Sequence, residues 1–130
     1  MTNGCFDLIH PGHVSYLREA ANLGDILVVA VNDDESVQKL KGESRPINTV
    51  IDRMAVLEGI EAVDLITSFQ EDNPERLISL LKPDFLVKGG DYTIDQIAGS
   101  EMVIENGGQV VVLDYLKDYS TSNLIGRLTD

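Results

Sequence analysis

Two histidines flank a proline and a glycine in His10-Pro11-Gly12-His13, where a short apolar opening gives way to a helical pattern. A first strand should end near Gly4 and a helix should begin near Gly12, leaving Cys5 to Pro11 as the connecting loop. Such a loop is a natural phosphate site. Open N–H groups and the positive end of the helix dipole favour an anion there. Gly12 carries no side chain, so a phosphate can come close to its backbone. Both imidazoles can donate hydrogen bonds to phosphoryl oxygens. The pair is also compatible with a capping histidine beside a surface one, and its place in the first loop is what favours chemistry. No glycine-rich dinucleotide fingerprint and no Gly-Lys-Ser/Thr motif follows the first strand, which disfavours hydride transfer and P-loop kinase chemistry.

The elements that must position these residues alternate. Met1 to Asn3, Ile26 to Val31, Val63 to Ser68, Phe85 to Val87 and Val110 to Leu113 read as strands, β-branched and apolar. Gly12 to Leu23, Asp33 to Leu40, a segment capped by Thr49, one opening on Asn73-Pro74, Ile94 to Glu105, and one starting at Ser120 or Thr121 read as helices. The alternation predicts an α/β fold with a parallel sheet and helices on both faces. Ligands in such folds bind beyond the carboxyl ends of the strands, at the switch point. No repeat, low-complexity tract or linker interrupts the pattern.

The charge is lopsided. Ten Lys and Arg stand against 22 Asp and Glu in 130 residues, a net −12. That argues against nucleic acid and an anionic membrane surface as partners. Yet Lys39, Lys41, Arg45 and Arg53 face only Glu43 and Asp52 between positions 39 and 53. This locally positive window overlaps the most loop-like segment, Lys41 to Asn48, and suits phosphates. The single cysteine, Cys5, excludes an internal disulfide and suits a reducing cytoplasm. The longest apolar run is too short to span a bilayer, and no leader pattern is visible.

The block Asn3-Gly4-Cys5-Phe6-Asp7-Leu8-Ile9-His10-Pro11-Gly12-His13 resembles the signature of the nucleotidylyltransferase superfamily with the His-x-Gly-His motif. Val31-Asn32-Asp33-Asp34, Leu40-Lys41-Gly42, Arg45-Pro46-Ile47-Asn48, Asp52-Arg53-Met54, Val87-Lys88-Gly89-Gly90-Asp91-Tyr92 and Tyr119-Ser120-Thr121-Ser122 extend the likeness along the chain. The Lys-Gly-Gly-Asp-Tyr block together with Arg-Pro-x-Asn resembles the heptose branch, the adenylyltransferase half of bacterial ADP-heptose synthesis proteins. The resemblance implies a Rossmann-like three-layer sandwich whose parallel sheet has the order 3-2-1-4-5. It implies one nucleotidyltransferase domain over residues 1–130, without the sugar-kinase half fused to it in many relatives.

The same resemblance implies the reaction. AMP passes from ATP to D-glycero-β-D-manno-heptose 1-phosphate, giving ADP-heptose and pyrophosphate for lipopolysaccharide core precursors. His10, His13 and Lys41, with Lys39 as a further candidate, would act on the phosphates. Gly4, Phe6, Gly12, Gly89, Asp91, Tyr92, Ser120, Thr121 and Ser122 would bind the nucleotide, and Asp7, Arg53 and Lys88 the substrate or its phosphates. Mg²⁺ is expected as Mg-ATP, held mainly by phosphate oxygens, and a homodimer or larger homo-oligomer is expected.

Other roles stay open for several of these residues. Asp7 can bond loop backbone. Arg53 can pair with Asp52 or Glu58, Lys39 and Lys41 can be a solvated helix end, and Lys88 can close a strand. Ser120 to Ser122 can simply cap a helix, and Tyr92 can stack on a ligand or cover the pocket. The runner-up activity is a cytidylyltransferase using CTP on glycerol 3-phosphate or another small phosphate. A phosphoacceptor receiver domain would need acids after the first strand and an aspartate ending the third, where this chain has Asn3-Gly4-Cys5 and Ser68-Phe69.

Overall fold

The computed structural model describes residues 1–90, 92–114 and 120–129, with the side chain of Thr129 left aside. Strands β1 (Thr2–Gly4), β2 (Val28–Asn32), β3 (Leu65–Phe69), β4 (Phe85–Gly89) and β5 (Gln109–Leu113) alternate with six α-helices. These are α1 (Pro11–Ala21), α2 (Asp34–Lys41), α3 (Val50–Glu58), α4 (Glu75–Leu81), α5 (Ser100–Glu105) and α6 (Thr121–Thr129). The strands form one sheet in the order β3-β2-β1-β4-β5, every pairing parallel. This is the Rossmann-like α/β arrangement expected from the sequence.

Side-chain alternation along the strands divides the core into two layers. Val29, Val31 and Val87 pack with Leu17 and Ala20 of α1 and Leu57 of α3 on one face. Ala30 and Leu86 pack with Ile78 of α4 and Val103 of α5 on the other. The chain leaves β1 toward β2 on one side and reaches β4 on the other, so the switch point lies between β1 and β4. A buried hydroxyl relay pins α1 there: Tyr16 OH lies 2.6 Å from Thr2 Oγ1 and donates to the Val87 carbonyl at 2.9 Å.

Three differences from the sequence reading have a clear physical cause. The helix expected over residues 94–105 is two pieces, a 3-10 turn at Ile94–Gln96 and α5. Gly99 separates them at φ 84°, and a Cβ there would stand 2.4 Å from Ile78 Cδ1. Close packing of α4 on the backbone therefore breaks a pattern that looks continuous. Pro74 occupies the N-cap position of α4 rather than its first turn, and Asn73 Oδ1 accepts from the Glu75 N–H at 3.0 Å. Finally, β2 starts at Val28, where Leu65 of β3 first offers a partner, and Ile26 is left exposed.

Candidate functional site

The turn from β1 into α1 is built around its two histidines. Phe6 takes a left-handed φ of 49° and folds its ring over Gly4, where a Cβ would stand 3.0 Å from Phe6 Cε2. The buried ring then leans on His13, centroid to centroid 5.4 Å. His10 is the N-cap of α1: its Nδ1 accepts from the Gly12 N–H at 3.1 Å, while His13 Nδ1 accepts from the His10 N–H at 3.2 Å. This is a reciprocal capping box made by imidazoles. The rings stack at 3.8 Å between centroids.

That box has two chemical consequences. The first-turn N–H groups are already used, since His13 and Val14 N–H both donate to the His10 carbonyl. The open backbone anion site expected at Gly12 is therefore closed by the histidines themselves, and an anion would meet imidazole instead. Second, a ring whose Nδ1 accepts carries its proton on Nε2 when neutral. Burial and the neighbouring His10 push the His13 pKa down to about 4, and burial lowers that of His10. Both rings are thus held as neutral Nε2–H donors at neutral pH.

A cleft of about 610 Å³ opens at this end of the sheet. Its lining brings together Gly4, Phe6, Asp7, His10, Gly12, His13, Lys41, Lys88, Gly89, Tyr92, Ser120, Thr121 and Ser122. Lys39 is exposed and is not part of that lining. Asp91 lies outside the described residues, as does Tyr119.

The cleft lining carries a small positive excess, Lys41, Arg45 and Lys88 against Asp7 and Asp72, in an acidic protein. Lys41 ends α2 and is exposed. Lys88, on β4, has its pKa lowered by burial and then by the charge of Lys41, with Cys5 acting the other way. Its Nζ sits over the Tyr92 ring, 5.7 Å from the centroid. At α6, Ser120 Oγ accepts from the Asn123 N–H and Thr121 Oγ1 donates to the Leu8 carbonyl, each at 3.0 Å. The Thr121 hydroxyl fixes the helix against the β1–α1 loop, the Ser120 hydroxyl caps the helix itself, and Ser122 remains exposed.

Two expected substrate contacts have other partners. The Asp7 carboxylate is buried and accepts from Ile47 N–H at 2.8 Å, Asn48 N–H at 2.9 Å and Arg45 Nε at 3.1 Å. Burial alone would raise its pKa, but those donors hold it below the ordinary carboxylate value. Asp7 thus ties the α2–α3 loop to the β1–α1 loop. Arg53 is fully buried and cannot touch a substrate. Its guanidinium bonds the Cys5, Asn32 and Asn48 carbonyls and Asp34 Oδ1, not Asp52 or Glu58.

Sequence reasoning missed Arg45, Asn32 and Tyr16 as cleft-lining residues. Arg45 lay inside the positive window, a usable signal; Tyr16 had none beyond a helical apolar spacing. Cys5 also lines the cleft, and burial raises its thiol pKa despite four nearby cations. Among the described residues, no group of three or more His, Cys, Asp or Glu side chains converges as a metal-holding cluster.

The cytidylyltransferase-like family matches residues 1–127. The chain belongs to that family. This nucleotidyltransferase domain is 59% identical over its whole length to the bifunctional protein HldE of Actinobacillus succinogenes. It is 58% identical over 98% of its length to the HldE of Haemophilus influenzae. It spans 27% of either relative, about a quarter of their length. Among solved structures it resembles the lipopolysaccharide core biosynthesis protein of Thermoplasma volcanium, with TM-score 0.73 and 29% identity over 92% of this chain and 96% of that one. Pantothenate synthetase from Thermus thermophilus shares the fold at TM-score 0.53 and 17% identity, covering 87% of this chain and 54% of that one. Among the described residues, no helix of this family member is long and apolar enough to cross a membrane.

Proposed function

We propose that residues 1–130 form one nucleotidyltransferase domain that transfers AMP from ATP to D-glycero-β-D-manno-heptose 1-phosphate, releasing ADP-heptose and pyrophosphate. The paired, neutral histidine donors at the mouth of a cationic cleft carry the reaction class. Likeness to the HldE proteins and to a lipopolysaccharide core biosynthesis protein supports the substrate. The domain works in the cytoplasm as a homodimer or larger homo-oligomer, and Mg²⁺ arrives as Mg-ATP.

The chemistry follows from the donors. A sugar-phosphate oxygen attacks the α-phosphorus of ATP in line. The new P–O bond forms as the bond to the bridging oxygen breaks, and pyrophosphate leaves with that electron pair. A phosphate monoester is largely dianionic at neutral pH, so no base is needed to uncover the nucleophile. Catalysis is then positioning plus stabilisation of charge on the phosphoryl oxygens. His10 and His13 donate Nε2–H to those oxygens, and neutral rings suffice because no proton has to be transferred. Lys41 and Lys88 neutralise phosphates, with Ser120, Thr121 and Ser122 along the triphosphate. Gly4, Phe6, Gly89, Asp91 and Tyr92 line the nucleoside side.

The second reading is a cytidylyltransferase acting on glycerol 3-phosphate or another small phosphate, favoured by the family that the chain matches. Pyrophosphate release is measured with Mg²⁺, ATP or CTP, and a panel of sugar and polyol phosphates. Release with ATP and the heptose 1-phosphate supports the first reading. Preference for CTP and glycerol 3-phosphate replaces it with the second.

A further inference from the structure

Helix α2 and the loop after it leave the carboxyl end of β2 at Asp34 and return at Asn48, carrying Lys41 and Arg45 on the way. Both ends of this excursion meet at one side chain. Arg53 Nη2 donates to Asp34 Oδ1 at 2.8 Å, and its Nε donates to the Asn48 carbonyl at 3.0 Å. Its Nη1 donates to the Cys5 carbonyl at 2.7 Å and the Asn32 carbonyl at 2.8 Å, at the carboxyl ends of β1 and β2. A buried charge is costly unless its hydrogen bonds are complete. Here each guanidinium nitrogen has a partner. The planar fork of arginine reaches acceptors in four segments at once, which a lysine ammonium on its single stem cannot.

We propose that Arg53 is a positioning residue for catalysis, a clasp that closes residues 34–48 at the neck and sets the register of Lys41 and Arg45 over the cleft. Asp7 is the second fastening, holding Arg45 and the Ile47 and Asn48 N–H groups inside the excursion. Arg53 acts through Lys41 and Arg45 and touches no reactant. The inference rests on the proposed adenylyl transfer for its kinetic consequence, but not for its structural one.

The test uses the whole chain with Arg53→Lys and, as a gentler variant, Asp34→Asn, whose side chain is partly exposed. Amide hydrogen exchange at Ile47 and Asn48 should speed by about tenfold or more in Arg53→Lys, with the sheet amides unchanged. The kcat per folded enzyme should fall roughly 10–100-fold while KM for ATP moves less than about threefold, as misplacement of catalytic groups predicts. Asp34→Asn should show the same signature in smaller measure. In a Lys41→Ala background, Arg53→Lys should cost clearly less than it does in the wild type, because part of its effect runs through Lys41. The clasp is overturned if Arg53→Lys lowers the melting midpoint but leaves exchange at Ile47 and Asn48 and kcat per folded enzyme unchanged. Multiplicative losses in the double variant also overturn it. If the wild type releases no pyrophosphate, the functional reading fails, and the exchange comparison alone decides the clasp.

Discussion

His13 performs two tasks with two ring atoms, and substitution can separate them. Nδ1 accepts from the His10 N–H and closes the cap of α1, while the Nε2–H is the donor assigned to the phosphoryl oxygens. Asparagine at position 13 offers its Oδ1 where Nδ1 stood and has nothing at Nε2. His13→Asn should therefore keep most of the cap and lose the donor. A helix N-cap contributes about 1 kcal/mol, so His13→Ala should lower the melting midpoint by roughly 4 °C in a domain of this size. His13→Asn should lower it by less. One preorganised donor to a developing oxyanion is worth about 10²–10³ in kcat, and both variants should lose that much. Initial rates of pyrophosphate release at saturating ATP and acceptor, normalised to folded protein, measure it. The donor assignment is refuted if His13→Asn keeps kcat within about threefold of wild type. It is equally refuted if the activity of His13→Ala falls only in proportion to its unfolded fraction.

Other outcomes follow from the same structure. His13 has its folded pKa depressed to about 4 from the ordinary 6.5, so the unfolded chain binds more protons between those values. The stability it contributes is complete above about pH 6.5 and is lost as the pH falls toward 4; melting midpoints across that window should drop less steeply in His13→Asn. Lys41 is exposed at the end of α2, so Lys41→Ala should leave the midpoint within about 2 °C, since surface changes alter stability little, while lowering kcat about tenfold or more. Gly99→Ala meets both a φ of 84° and the Ile78 side chain, so it should destabilise the fold by about 2 kcal/mol or more, read by denaturant unfolding.

The fold was legible because its signals are local. Valine-rich strands, Thr49 and Asp33 at helix starts, and histidines in the first loop each announce themselves within a few residues. The site was legible where a motif and an element boundary coincide, as at His10 and His13. Arg53 was not, because three of its partners are backbone carbonyls that only the topology brings together. The partners of Asp7 were hidden for the same reason, its donors lying about forty positions along the chain. Gly99 reads as an interruption only once Ile78 packs against it. The overall acidity, −12, said least about the site. A cleft needs only its own few cations, and Lys41, Arg45 and Lys88 come from two separate segments.

The central claim is adenylyl transfer at the histidine-capped cleft, and a single assay tests it most directly. The whole chain is incubated with Mg²⁺, ATP and D-glycero-β-D-manno-heptose 1-phosphate, and pyrophosphate and the nucleotide sugar are quantified together. The account predicts pyrophosphate and ADP-heptose in equal amounts, both formed about 10²–10³-fold more slowly by His13→Asn. Absence of both products from a folded protein, across every heptose phosphate offered, would contradict it.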